Sequence, residues 1–356
     1  MIEVRAVQDS DSCAWEEVAR ASDDAWLSHS WEWNTAVEER VRGGARRSLV
    51  VIRDGRLVGI VPQHLHVEQR GPLSRRVLYA NYWIGGGVAL VNDLTTAARA
   101  ECVDAAMRAT HAQARCDRVD KMLMTLPPIS RRNLRKEAEA RRAIGAGFVD
   151  RSTTALVIQL RGRTADEVWK DLEGRGRTKV RKAERAGVRI VQVSGPDALE
   201  QFHALHLATY ARTGARAYPR AYFEAVLAAP HCTVFFAELD GRTLGGLIVA
   251  TYAGRAQYFA SASVEEALHL GVNNLLQWHA LRCLLELDVE AYELGVLPDP
   301  RRPASAKMLG IAQFLRSFGG DTVPAHQGEF VYDRTRHVVF AVARNVIERA
   351  GLIWPD

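Results

Sequence analysis

Two distant segments, SLVVIRDGRLVGIVPQHLHV (48–67) and CTVFFAELDGRTLGGLIVATY (232–252), share one frame: an apolar strand, Asp-Gly-Arg, two residues, a glycine and a second apolar strand. Asp-Gly between alternating apolar runs signals a hairpin, because a tight two-residue turn needs positive φ, which glycine accepts without steric cost. The flanks agree as well. Each hairpin follows a pair of helical stretches, AWEEVARAS and SWEWNTAVEER in the first half, DALEQFHALHLATYA and PRAYFEAVLAA in the second. After each come an apolar strand (RRVLYANYWI; RAQYFASAS), a long helix (TTAARAECVDAAMRATHAQ; VNNLLQWHALRCLLEL) and a further strand (RVDKMLMTL; AYELGVL). The same order over about six elements points to a duplicated α/β (α+β) unit.

The 356 residues suffice for two domains of ordinary size, and the join falls near residue 150. ISRRNLRKEAEARRAIGAG reads as a helix ended by Gly145 or Gly147, after which STTALVIQL begins the second unit as a strand. Thr164 and Glu167 in RTADEVWKDL have capping-box spacing, so a helix starts there. GRG at 174–176 is expected to break it, TKVRKAERA to resume as a short helix stopped by Gly187, and VRIVQV to follow as a strand.

The chain is 47% apolar and 25% charged with a net charge of +5, the balance of a soluble globular protein. That mild excess permits an anionic partner without demanding one. Five scattered cysteines without a CxxC pair suit free thiols in a reducing compartment. The N-terminus MIEVRAVQDSDSCAWEEV is interrupted by charges at once and is no secretory signal, and no apolar run approaches a membrane span. A cytoplasmic location is expected. His203 and His206 stand three apart on a helix with no third ligand, so no metal site is expected. YWIGGGVAL lacks the Lys-Ser/Thr of a phosphate loop.

The segment GRGRTKVRKAERAG (174–187) carries six basic side chains and one acid. On a helix Thr178, Arg181, Lys182 and Arg185 share one face. Arg177, Lys179, Arg181, Lys182 and Arg185 are candidates for phosphate or tRNA contact, because Lys and Arg contacts to phosphate dominate nucleic-acid affinity. The alternative is an ordinary solvated face.

Two such halves resemble tandem GNAT-type acyltransferase domains, and more narrowly the FemABX family of aminoacyl-tRNA-dependent transferases. The resemblance rests mainly on RTKVRKAERAGVRI (177–190), ATYARTGARAYPRAYFEAV (208–226), the hairpin at Asp240-Gly241, QYFASAS (257–263), NNLLQWHAL (273–281), YELGV (292–296) and QFLRSFGG (313–320). It implies two GNAT-like domains, 1–150 and 151–321, each a mixed twisted sheet flanked by helices, with 322–356 returning onto the first. It implies direct acyl transfer, without a covalent enzyme intermediate, in a wedge where two central strands separate. The strand ends facing that wedge are QYFASAS and YELGV. The resemblance names Glu293 as proton acceptor, with Tyr258 and Ser261 orienting substrate, and Arg212 and Asn274 as further substrate-binding candidates.

Three departures bear on the substrates. Acyl-CoA users of this fold carry Q/R-x-x-G-x-G/A before the long helix, whereas this chain reads ALHLGVNNLL, with Leu268 and Asn273 in place of the basic residue and second glycine. The family's Phe-Lys-x-x-Phe-Gly motif reads Phe314-Leu315-Arg316-Ser317-Phe318-Gly319, which leaves Arg316 and Lys307 as the cations in range. One residue turns a helical side chain by about 100°, so Arg316 need not take the lysine's place. Where members using nucleotide-linked cell-wall precursors carry a lysine, four residues after the tryptophan, this chain has Val37, followed by Glu38. The expectation is an aminoacyltransferase that moves an amino acid from aminoacyl-tRNA, as co-substrate, to the amine, hydroxylamine or hydroxyl of a small acceptor in natural-product biosynthesis, with no bound cofactor. An acyl-CoA-dependent N-acyltransferase, a peptidoglycan-precursor transferase and a non-catalytic GNAT-like binding protein remain the alternatives. The amino acid, acceptor and oligomeric state stay open.

Overall fold

The computed structural model describes residues 1–40, 44–70, 73–80, 84–193, 196–213 and 217–349. Its backbone divides into two units, Met1–Ser152 with Ala325–Asp356, and Thr153–Pro324. The first unit runs β1 (Ile2–Ala6), α1 (Ser12–Ala21), α2 (Trp31–Arg40), β2 (Ala45–Arg46), β3 (Leu49–Arg53), β4 (Arg56–Val61), β5 (His64–Arg70), β6 (Leu73–Ala80), β7 (Ala89–Leu90), α3 (Thr96–Cys116), β8 (Lys121–Thr125), α4 (Arg131–Leu134) and β9 (Val149–Asp150). One of its sheets has the order β1-β3-β4-β7. Trp15, Trp26 and Trp33 are fully buried in its core.

The second unit contains β10 (Thr153–Gln159), α5 (Ala165–Asp171), α6 (Gly174–Arg185), β11 (Arg189–Val193), α7 (Pro196–Thr213), α8 (Arg220–Ala228), β12 (Cys232–Leu239), β13 (Arg242–Tyr252), β14 (Arg255–Ser263), α9 (Glu265–Leu270), α10 (Val272–Glu286), β15 (Ala291–Val296), α11 (Ala306–Arg316) and β16 (Asp321–Ala325). Its seven strands form one sheet in the order β11-β12-β13-β14-β15-β10-β16. One face of the sheet packs on α5, α6, α10 and α11 through Val168, Val180, Ala183, Leu276, Leu281, Ala312 and Leu315. The chain then returns to the first unit with β17 (Gln327–Val331) and α12 (Arg334–Arg349), and β17 completes a sheet ordered β2-β5-β6-β8-β17-β9.

The repeated frame folds the same way twice. Asp54 and Gly55 have φ of 52° and 82°, Asp240 and Gly241 50° and 74°, the two positive values a type I′ turn requires. Each hairpin also slips register after the turn, with Val58 extra between Leu57 and Gly59 and Leu244 between Thr243 and Gly245. The glycine that follows each bulge sits where backbone and neighbour come close. A Cβ on Gly59 would overlap Leu90, and one on Gly245 would lie 3.2 Å from Val272.

Two sequence expectations are corrected. Residues 129–147 do not form one helix: α4 lasts one turn, Lys136 takes φ of 58°, and a 3₁₀ turn covers Ala138–Arg141. The arginines that would decorate a straight helix are drawn instead onto an acidic corner. Arg132 Nε lies 2.7 Å from Asp24 and the same guanidinium pairs with Glu137, while Arg135 pairs with Asp23. Likewise GRG does not break the helix. The break is at Leu172 and Glu173, and Gly174–Arg177 make the first turn of α6. Gly176 faces inward there, 3.3 Å at its would-be Cβ from the Ser317 carbonyl, so the glycine allows contact rather than disorder. The capping box forms, with Thr164 N donating to Glu167 Oε2 at 2.7 Å and Glu167 N to Thr164 Oγ1 at 3.3 Å.

Candidate active site

In the second unit the two central strands β14 and β15 run parallel but stay bonded only from Arg255/Ala291 to Gln257/Glu293. Beyond that point they part, and irregularities on both explain why. β14 carries an extra residue, Phe259, between Tyr258 (opposite Val249) and Ala260 (opposite Ile248). β15 shifts register against β10 at Leu294, and Gly295 takes φ of 126°, a conformation open to glycine alone. A bulge bends its strand and leaves one residue unpaired. Two bulges facing each other therefore open a wedge.

Register decides which side chains look into which side of the wedge. Gln257 and Glu293 are paired, so they share a face, and Gln257 Nε2 donates to Glu293 Oε2 at 3.3 Å. Glu293 is only 1% exposed, and burial pushes its carboxyl from 4.5 to about 7. Tyr258 looks to the opposite face, onto the apolar core. The bulge at Phe259 turns Ser261 to Tyr258's side, and their hydroxyls hydrogen bond. Burial raises the Tyr258 phenol, so it stays protonated and able to donate. A base poised near neutrality thus sits on one side of the opening and a half-buried proton donor on the other.

The far end of β14 meets the end of α7. Thr209 Oγ1 donates to the Ser263 carbonyl at 3.0 Å and accepts from Ser263 N at 2.9 Å, while Arg212 Nη1 lies 3.4 Å from the same carbonyl. On the Glu293 face Phe259 packs on Tyr222, their centroids 5.9 Å apart. Tyr218 stacks on Tyr222 at 4.7 Å and Tyr210 lies 4.2 Å from His206. His206 is neutral in this setting, its Nε2 accepting from Tyr218 N at 2.8 Å and its basicity lowered to about 4 by burial. Lys307, on the first turn of α11, holds Nζ 5.3 Å over the Tyr210 ring.

The basic helix α6 buries Gly176, Val180 and Ala183 and turns Lys179, Arg181, Lys182 and Arg185 outward. Two of its arginines have structural work. Arg177 Nη1 donates to the carbonyls of Lys170 and Leu172, at 2.8 and 2.5 Å, which close α5, and the Arg181 guanidinium covers Trp169 at 5.4 Å. Arg185 Nε bonds back to the Arg181 carbonyl. Lys179 and Arg175 line an open-sided hollow of about 130 Å³ together with Asn274, Gln313, Phe314 and Ser317. α6 also closes off the start of α10. The chain enters α10 directly from α9 through Gly271, whose φ is 81°, and a Cβ there would lie 2.6 Å from the Lys179 carbonyl oxygen.

Glu293, Tyr258 and Ser261 therefore gather at the wedge, Arg212 and Lys307 lie near the α7 end of β14, and Asn274 and Lys179 share the hollow. Arg316 is exposed at the end of α11, and among the described residues no hydrogen bond or ion pair ties it to Glu293. Leu315 is 3% exposed, with Cδ1 3.8 Å from the would-be Cβ of Gly295, so it belongs to the wall behind the wedge. The side chains of Val37 and Glu38 lie outside the described residues. Sequence reasoning missed Gln257, Gln277 and the two bulges. Gly295 inside an apolar strand pattern was the available signal for one bulge, and a glutamine amid Leu275, Leu276 and Trp278 for a buried amide. No helix among the described residues is long and apolar enough to cross a membrane.

Residues 173–300 match the family model of an acetyltransferase (GNAT) domain. The structure of FemX superposes with a TM-score of 0.71 at 14% identity, over 95% of this chain and 99% of that one. L-PGS from Bacillus licheniformis reaches 0.54 at 12% over 88% and 95%, and a tandem GNAT protein from the clavulanic acid biosynthesis pathway 0.52 at 13% over 93% and 98%. No curated protein sequence matches the chain.

Proposed function

We propose that this chain, which matches a GNAT acetyltransferase domain over residues 173–300 and shares the fold of FemX, is an acyltransferase that moves an amino acid from aminoacyl-tRNA to the amine, hydroxylamine or hydroxyl of a small acceptor. The observation that carries this reading is the closed start of α10. A donor held by its pyrophosphate needs open backbone N–H groups at a helix N-terminus. Here the Lys179 carbonyl oxygen, of the same sign as a phosphate oxygen, abuts Gly271, and α9 runs straight into the helix. The outward face of the covering helix carries Lys179, Lys182 and Arg185, which favours a donor met along an extended phosphate backbone.

In this reading the ester carbonyl of the donor lies in the wedge. The acceptor approaches from the Glu293 face, and its nitrogen or oxygen attacks the carbonyl carbon while Glu293 takes the proton. The new bond forms as the bond to the ribose oxygen breaks, and Tyr258 gives that oxygen its proton from the opposite face. A base near pH 7 is matched to this task, because a carboxyl at its ordinary value is too weak a proton acceptor. The aromatic floor of Phe259, Tyr222 and Tyr218 suits an acceptor with a flat or apolar body.

The test is transfer of radiolabelled amino acid from charged tRNA to a mixture of small amines and hydroxy compounds, with and without ribonuclease pretreatment. Ribonuclease-sensitive transfer is expected, with no micromolar coenzyme A binding by calorimetry. Replacing Lys179 and Lys182 together by Ala should weaken tRNA binding and flatten its salt dependence by about two ions. Replacing Arg177 should chiefly lower stability, because it caps α5. Transfer from acyl-CoA that survives ribonuclease would overturn the reading.

A further inference from the structure

Two amides stand within the otherwise apolar layer behind the wedge. α10 packs chiefly on β13 and reaches β14 and, through Gln277, Tyr292 of β15, and two of its amides, Asn273 and Gln277, lie one turn apart on one face. Gln277 is 1% exposed, and its Oε1 accepts from Tyr292 Oη at 2.9 Å. Asn273 Nδ2 lies 3.3 Å from Ser263 Oγ, at the end of β14. The other half of each amide, Gln277 Nε2 and Asn273 Oδ1, is buried and meets no hydrogen-bond partner among the described residues. Turning either amide end for end only exchanges which atom is left over. Tyr258 and Ser261 add hydroxyls on the same face, and Tyr258 is close enough to Tyr292 to disfavour its ionisation. Buried amides in native proteins are otherwise paired, so two unmet ends one helical turn apart call for a partner.

We infer that Gln277 and Asn273 read the acyl group being transferred, and that this group carries a hydrogen-bonding side chain, an amide or a hydroxyl, in preference to a hydrocarbon of the same shape. A side-chain amide or hydroxyl offers both a donor and an acceptor, which is what the two leftover ends require. A saturated side chain would leave both unmet on a surface closed to water. A site built to bond a substrate hydroxyl or amide rejects the isostere that lacks it far more strongly than an apolar pocket rejects an added group. The inference rests on the wedge being the transfer site, but not on which carrier brings the acyl group.

The test uses isosteric pairs, threonine against valine and asparagine against leucine, each loaded on a tRNA minihelix and also on coenzyme A. With the intact chain, kcat/KM should favour the polar member by roughly 100-fold. Gln277→Leu combined with Tyr292→Phe removes the amide without stranding the tyrosine hydroxyl, and should shrink that preference to about 10-fold or less. The unfolding temperature of the double variant should be unchanged or higher. Equal rates within each pair, a preference untouched by the double variant, or a marked loss of its stability would overturn the inference. If only the coenzyme A esters react, the tRNA reading fails while the paired comparison still decides this one. If neither carrier reacts, calorimetry with the 3′-amido-linked adenosine conjugates of threonine and valine decides. Equal affinities, or no binding by either, count against it.

Discussion

Replacing Glu293 by Gln separates what the site needs from what the fold prefers. The carboxyl is buried, and its ordinary 4.5 moves to about 7 in the folded chain. Because the folded value is raised, the folded state holds the proton more tightly than the unfolded state between those two values. Stability is therefore highest below about 4.5 and falls as pH rises to about 7, by about 3 kcal/mol in all. Gln is nearly isosteric, stays neutral at every pH and still accepts from Gln257. Glu293→Gln should match the parent in stability at pH 4.5 and exceed it by about 3 kcal/mol at pH 8. Urea unfolding at the two pH values, followed by the fluorescence of the chain's eight tryptophans, among them Trp169 and Trp278, which pack 4.7 Å apart in this unit, reads the difference. Activity should run the other way. In the parent, kcat/KM should climb through about pH 7 as the base form appears, and the variant should lose about 100-fold or more at pH 8. Equal stability increments at both pH values would refute the burial argument. Full activity in a well-folded variant would refute the role of Glu293 as base.

Leu315→Lys puts a charge against the wall at Gly295. It should destabilise the second unit by more than about 3 kcal/mol, and should not create a catalytic cation, which thermal unfolding and transfer assays check together. Gly271→Ala must accept positive φ and a clash with the Lys179 carbonyl, so a loss of about 2–4 kcal/mol is expected in urea unfolding. Tyr258→Phe removes the proton donor and strands Ser261 while keeping the ring. A fall of about 10–100-fold in kcat with little change in KM is expected, and a change confined to KM would assign Tyr258 to binding alone.

The sequence by itself determined the duplicated hairpin frame. Asp-Gly and the glycine four residues after it are local demands, positive φ and close approach, and they read the same wherever the unit sits. It also fixed the capping box at Thr164 and the acid on YELG as a candidate. It failed on 129–147, where helical periodicity was overridden by ion pairs to Asp23 and Asp24 from far along the chain. Only tertiary structure decided the site. The wedge exists because bulges on two strands distant in sequence face each other. Glu293 becomes a base near neutrality because other elements exclude water from it. The N-terminus of α10 is closed because α6, far earlier in the chain, lies against Gly271. A side chain's type is written in the sequence, whereas its solvation and its neighbours belong to the packed chain.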